Sequence, residues 1–552
     1  MRMTFFQSIL CAGLVLAIPH FSDLPLVGTA QAQSTAQEPA VTAPETYPEP
    51  DTPLAKGIRD AIAELDDTEV TEFYARRGFA TIWLNKNGFN ERAHLTIAAF
   101  ADANAHALNP ENYGPLEFIS RSENARSLED WASIERDLTR QFLRYATHLS
   151  SGRVQPNEVN KALNIFPHRP KTSILLENVV SATDYAAFLE TLPPNTPQYA
   201  RLQLRLAEYR QKAAEGGFTV IPEGEVLKPG MTDSRLGVLR QRLIEEDYLN
   251  PTIPTGDVYD GALVDAVKEF QSYHGLDVDG VIGADTLSEM NVPIEQRLIQ
   301  MELNMERRRW MPDDLGETYV FVNLADQVLK VVKKGKTWLA TKVVVGKPYH
   351  ATPVFTGEMT YVEVNPYWNV PYSIATKEYL PKLRKNPGVL SSQNIRLFEG
   401  GTEISPSQIA WSSFSPSNFP FKLRQDPGNK NALGRIKFMF PNKFNIYIHD
   451  TPAKSLFDKA QRSFSHGCIR VSDPFTLGDM LLADQGYDKA RLEAIRDTGE
   501  RTIVKLQKPI PVHITYLTAW MNKDGSTHFR KDIYKRDAVL LKALARAMTE
   551  NL

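Results

Sequence analysis

The hydrophobic period of this chain changes once, near residue 318, and that change dictates two kinds of architecture joined in series. Before it, apolar residues recur every three or four positions. Ile134, Leu138, Phe142, Tyr145 and Leu149 form one such stripe, and Leu202, Leu204, Leu206 and Tyr209 lie in another. After it, the runs Tyr319–Asn323, Val328–Val332, Lys342–Val345, Thr360–Val364 and Phe444–Ile448 read as strands separated by turn residues. A chain of 552 residues also exceeds what one core serves. The expectation is a multidomain α+β protein. It has a helical N-terminal region over 54–220, a small three-helix unit over 227–293, and a mostly β domain over 318–505. A hairpin from Val512 to Tyr534, turning at Lys523-Asp-Gly525, and a helix over Asp537–Met548 fill 506–552. Inside the β domain, residues 372–434 are rich in Ser, Pro, Asn and aromatics. A stretch of that length predicts a lid-like insertion. Its Tyr372, Tyr379, Trp411, Phe414, Phe419 and Phe421 either cover a bound substrate or make a small core of their own.

The N-terminus bounds where the chain works. Arg2 precedes an apolar stretch, Ser8–Ile18, and Ala30-Gln31-Ala32 supplies small residues at a cleavage site. Residues 1–32 therefore read as an export signal, with an uncleaved anchor as the alternative, and 33–53 as a flexible linker. Membrane contact is expected only if the segment stays uncleaved, since no later apolar run approaches a bilayer span. Net charge is 63 − 66 = −3, so no basic field points to nucleic acid. Removing 1–32 takes Cys11 with it and leaves Cys468 alone, a thiol that cannot form an intramolecular disulfide.

That thiol sits in the densest run of reactive residues. Tyr447-Ile-His449-Asp450 is followed by Ser465-His466-Gly467-Cys468-Ile469-Arg470-Val471. A free thiol titrates near pH 8.5, and an imidazole can take its proton. His449 and His466 are both candidates. Gly467 allows a carbonyl to approach the backbone and leaves the Cys468 amide to meet an oxyanion. Arg470 can hold a carboxylate. Ser465, Tyr447, Trp368, Tyr372, Arg424 and Arg435 are the further candidates for substrate contact.

His449, a gap of about fifteen, then Ser-His-Gly-Cys resembles the catalytic signature of L,D-transpeptidases. Leu-Arg-Gln-Arg-Leu, Ala-Val-Lys-Glu-Phe-Gln and Gly275–Gly283 resemble a peptidoglycan-binding module. The order of segments resembles the large Gram-negative branch of that family. The resemblance implies that Cys468 is acylated, that His449 is its base, and that His466 and Gly467 shape the site. It implies peptidoglycan stem peptides as substrate, a periplasmic location, 3→3 cross-links made with release of D-alanine, and acylation by carbapenems. Cell-wall synthases are further candidate partners. Arg470 stands where the family often has Asn. Asp450 follows the histidine where relatives have Ser, which leaves the group orienting the imidazole open between a side chain and a backbone carbonyl. No cofactor or metal is expected. Asp277-x-Asp279 lacks the spacing and the final Glu of a calcium loop. His449, His466 and Cys468 match no zinc spacing. A cysteine peptidase of another fold and a non-catalytic wall-binding scaffold are the remaining rivals.

Overall fold

The computed structural model describes residues 47–252 and 256–549. The expected signal, and most of the linker, lie outside the described residues. Residues 48–552 make one compact unit. No helix among the described residues is long and apolar enough to cross a membrane.

The helical region is built around the 24-residue helix Leu128–Ser151. Ser127 and Asp130 close its start with a reciprocal capping box, and Ile134, Leu138, Phe142 and Leu149 give it a buried stripe. A two-stranded hairpin, Leu84–Asn85 with Gly88–Phe89, interrupts a stretch that helical periodicity had covered. The small module has its three helices at Leu236–Glu245, Gly261–Tyr273 and Ala284–Met290. Gln271 holds its turn: Oε1 accepts from the Asp279 and Gly280 amides, and Nε2 donates to the Asp279 carboxylate.

A further helix, Ile294–Arg309, ties these parts to the rest. Its Ile294, Met301 and Met305 share one core with Leu202, Leu206 and Tyr209 of the helical region and Ala519 and Phe529 of the C-terminal hairpin. Leu204, expected in the same stripe, is exposed, because a residue two positions along a helix turns to the far side.

The β domain contains nine strands: β1 Thr318–Asn323, β2 Val328–Lys333, β3 Lys336–Gly346, β4 Phe355–Val364, β5 Ile436–Met439, β6 Ile448–His449, β7 Ser463–Ser465, β8 Ile469–Val471 and β9 Thr502–Thr515. They lie in the order β7-β3-β8-β6-β5-β4-β9-β1-β2, and β2 also pairs with β3, so the sheet closes on itself. Alternation sorts the side chains. Val320, Val322, Leu329, Val343, Val362, Phe438, Ile448, Ile469 and Val512 meet in the main core.

Two strand expectations need correcting. Phe444–Tyr447 is not strand; only Ile448–His449 pairs. The Asn442 side chain accepts from the Phe444 and Ile446 amides, and Asn445 takes a positive φ, so the backbone turns before it can pair. Val512–Thr515 belongs to the sheet rather than the hairpin: β9 runs past residue 505 and pairs in parallel with β1 through these four residues. The hairpin itself is Ala519–Met521 with Thr527–Phe529.

The insertion is folded rather than irregular. It carries a four-stranded sheet made from Trp368–Asn369, Lys422–Gln425, Ile395–Glu399 and Thr402–Ile404. Tyr379, Leu383, Leu397, Trp411, Phe419, Phe421 and Leu423 form its core, with Phe414 packed against it. Of the two roles open to those aromatics, the structure places all but the exposed Tyr372 in or against that core.

Candidate active site

Strand register assembles the site. β6 and β8 run parallel with Ile448 beside Ile469 and His449 beside Arg470. The two isoleucines are fully buried in the core. Alternation therefore sends His449 and Arg470 to the opposite face. In the antiparallel pairs, Lys437 lies across from His449 and Glu363 across from Lys437. One row across four strands thus reads Glu363, Lys437, His449, Arg470. Lys437 is held by Glu363 at 2.9 Å, and Arg501 donates to the same carboxylate.

Cys468 is half-buried at the turn between β7 and β8. The preceding residues hold that turn. Ser465 Oγ accepts from the Gly467 amide at 3.0 Å and donates to the Cys468 carbonyl at 2.6 Å. Gly467 has φ +118°, a conformation other residues rarely adopt. From below, Thr352 Oγ donates to the Gly467 carbonyl at 2.7 Å and accepts from the Gly346 amide at 3.0 Å. The C-terminal segment braces that layer: the Tyr534 phenol donates to the Gly346 carbonyl at 2.7 Å, and Arg536 to the Thr352 carbonyl at 2.8 Å.

Burial pushes the Cys468 thiol above its ordinary range, against hydrogen bonds from Tyr447 and the charges of Arg470 and Lys437, which favour the thiolate. Tyr447 itself is pushed up by burial and by the thiol beside it. Its ring meets that of His449 edge-on at 5.6 Å.

His449 is buried, and its Nδ1 donates to the Asp450 backbone carbonyl. This fixes the tautomer and leaves Nε2 as the acceptor. The orienting group is thus the main chain. The Asp450 carboxylate points elsewhere, accepting from the Arg435 amide at 2.9 Å and from Lys454 Nζ at 2.7 Å. Burial, with Arg470 as the next cause, lowers His449 to about 3. Gly434 stands over this corner at φ +64°, and a Cβ there would lie 2.3 Å from the Asp450 carboxyl carbon.

His466 is partly exposed and takes another partner: its Nε2 lies 2.8 Å from Glu378 of the insertion, and its ring sits 5.2 Å from that of His350. It therefore links the thiol loop to the insertion. Arg470 is half-buried, and its Nε meets no hydrogen-bond partner among the described residues. The other substrate candidates are dispersed. Trp368 is buried in the insertion, its ring 6.5 Å from Tyr379. Arg424 lies between the rings of Tyr367 and Phe398. Arg435 donates to Asn365 Oδ1 at 3.0 and 2.8 Å, and to Asn429 at 2.6 Å. Tyr372 is exposed and donates to the Pro416 carbonyl. Lys437, Glu363, Thr352 and Glu378 had no motif to announce them; only the alternation of β5 could have placed Lys437 on the site face.

A cysteine loop, a buried tautomer-fixed histidine and an arginine whose Nε has no partner among the described residues coincide with the match, over residues 317–504, to the family model "L,D-transpeptidase catalytic domain". The chain carries an L,D-transpeptidase catalytic domain. Two more models match, "Scaffold domain" over 68–206 and "Putative peptidoglycan binding domain" over 232–290. A curated protein of Haemophilus influenzae, described as "Putative L,D-transpeptidase", is 32% identical over 239 residues, 43% of this chain and 48% of that protein. The match thus spans about half the length of that relative. Among solved structures, an L,D-transpeptidase from Xylanimonas cellulosilytica aligns at 15% identity over 53% of this chain and 98% of that one, with a TM-score of 0.17. One from Mycobacterium smegmatis aligns at 12% identity over 36% and 58%, also with a TM-score of 0.17. The transpeptidase domain ends at 504 by its model, while β9 continues to Thr515.

Proposed function

We propose that the protein is an extracytoplasmic acyltransferase acting on peptidoglycan, with Cys468 as nucleophile and His449 as its base. The observation that supports this reading most is the β6–β8 register, which sets His449 beside Arg470 two residues after the thiol and on one polar face. The donor is a tetrapeptide stem. The thiol sulfur attacks the carbonyl of its third residue while the Cys468 proton passes to His449 Nε2. The oxyanion is met by the Cys468 amide. The C–N bond to the terminal D-alanine then breaks, and His449 returns the proton to the departing amine. An amine of a second stem attacks the thioester, its proton passes through His449 to the leaving sulfur, and a 3→3 cross-link results. Arg470 meets a carboxylate of the donor. Water in place of the amine gives an L,D-carboxypeptidase, and a lipoprotein amine gives attachment to the wall. The insertion, reaching the thiol loop through Glu378, excludes water and holds the stems.

Purified protein incubated with disaccharide tetrapeptide tests this reading. Mass spectra should show dimers with a 3→3 link and loss of D-alanine, and Cys468→Ala should make neither. A carbapenem should leave a covalent adduct on Cys468. Active protein that forms no adduct and no thioester under those conditions would refute the thiol mechanism.

A further inference from the structure

Three consecutive arginines end helix Ile294–Arg309, and the fold treats them differently. Arg307 meets the Asp537 carboxylate at 2.6 Å. Arg309 meets Glu306 at 3.1 Å and the Tyr199 phenol at 2.9 Å. Arg308, between them, has no carboxylate partner, and its buried Nε meets no hydrogen-bond acceptor among the described residues.

Arg308 lines a cleft of about 830 Å³ bounded by the start of helix Pro197–Ala214, the turn 311–316, the outer residues of β1 and β2, and the C-terminal hairpin. That volume suits a bound small molecule or peptide end. Arg201 lines the same cleft, with Nε on the Met521 carbonyl at 3.3 Å. The charges that bear on Arg308 are that of Arg201, of the same sign, and the phenol of Tyr319. The acids of the cleft do not neutralise the pair. Asp313, Asp314 and Asp524 stand exposed at its rim, and Asp326 is bound to Arg530 at 2.8 Å. Two neighbouring guanidiniums without a counterion destabilise a resting fold. They become favourable when an anion enters, since each offers a planar fork to an oxyanion. Tyr319 and Phe321 give the floor aromatic faces for the apolar part of such a ligand.

We propose that the Arg201–Arg308 pair forms an oxyanion-binding site, taking the carboxylate or phosphate of a ligand that occupies this cleft. The site uses β1 and β2, whereas the thiol precedes β8, so it stands independently of the acyl-transfer reading.

The full chain with Cys468→Ala, which prevents turnover, is titrated by calorimetry and melted with and without three probes: disaccharide tetrapeptide, the same compound amidated at its C-terminus, and inorganic phosphate. The variants are Arg308→Gln, Arg308→Lys and Arg201→Gln. At least one free-anion probe should bind and raise the melting temperature. Arg308→Gln should weaken that binding tenfold or more and abolish the shift, and Arg308→Lys should keep part of it. Without ligand, Arg308→Gln should melt at the same temperature or higher, because it removes an unpaired charge; a structural arginine would lower it. Binding of the tetrapeptide but not its amide assigns the anion to a wall peptide. Binding of phosphate alone assigns it to a free ion. The proposal is overturned if no probe binds, if binding is unchanged in Arg308→Gln, or if that variant is destabilised with no ligand effect.

Discussion

The resting state of the thiol can be worked out from its surroundings and measured directly. Burial lowers His449 to about 3 and pushes the Cys468 thiol up. Moving the proton from sulfur to imidazole before substrate arrives is therefore uphill, because burial opposes charge on both groups. Under the proposed mechanism the proton therefore moves as the carbon–sulfur bond forms. The perturbation is pH, read as the rate of Cys468 alkylation by iodoacetamide in intact-mass spectra. The rate should climb about tenfold per pH unit from pH 6 to 9, with no plateau, because it follows a small thiolate fraction. Arg470→Gln sharpens the test. It removes a cation that favours the thiolate, so alkylation at pH 8 should slow, by about fivefold for a loss near 1 kcal/mol. A rate that levels off below pH 7 would refute the reasoning, since it would reveal a preformed thiolate–imidazolium pair. Faster alkylation in Arg470→Gln would refute the assigned sign.

Other expectations concern the supports of the site and the acid limb. His449→Ala should lower acylation by about 10²–10⁴ while leaving the melting temperature nearly unchanged; a crippling His466→Ala with a mild His449→Ala would reverse the roles. Thr352→Val removes the hydroxyl that bonds both Gly467 and Gly346. It should cost about 1–3 kcal/mol in urea unfolding, together with loss of turnover. Gly434→Ala forces a Cβ into Asp450, so a stability loss above about 1 kcal/mol with slowed acylation is expected; a neutral result would mean that the corner relaxes freely. His106 and His528, lowered to about 4, and His148 and His449, lowered to about 3, resist protonation in the fold but protonate near 6.5 when unfolded. The stability these groups contribute is present above pH 6.5 and falls as pH drops towards 4. Each contributes a loss of about 2 kcal/mol at pH 5. Glu135, raised to about 7, opposes them singly, so the urea midpoint should still be lower at pH 5 than at pH 7.

The local periods were legible because they reflect what each element buries. The stripe Ile134 to Leu149 became the buried face of one helix, and the runs at 319–323 and 328–332 became β1 and β2. The thiol, the two histidines and Arg470 could be singled out because they lie close together in sequence, and the fold sets His449 and Arg470 side by side. Partners distant in sequence were not. Glu378 lies 88 positions before His466, and Thr352 lies 115 before Gly467; only the folded chain brings them into contact. The candidate substrate residues scattered for the same reason: an aromatic or arginine in the insertion looks alike whether it faces a ligand or, as with Trp411, a core.

The C-terminal segment alters what kind of object the protein is. β9 leaves the sheet and becomes the hairpin that packs against the helical region, and Tyr534 and Arg536 then return to hold the layer beneath the thiol loop. Three sequence modules are thus laced by a single strap, and heat should meet them as one cooperative body. A calorimetric scan should show one dominant transition for residues 48–552 rather than a separate melt for each module. A fragment cut at residue 504 would sever the strap. It would keep every residue of the motif yet lose the architecture that keeps Cys468 in register.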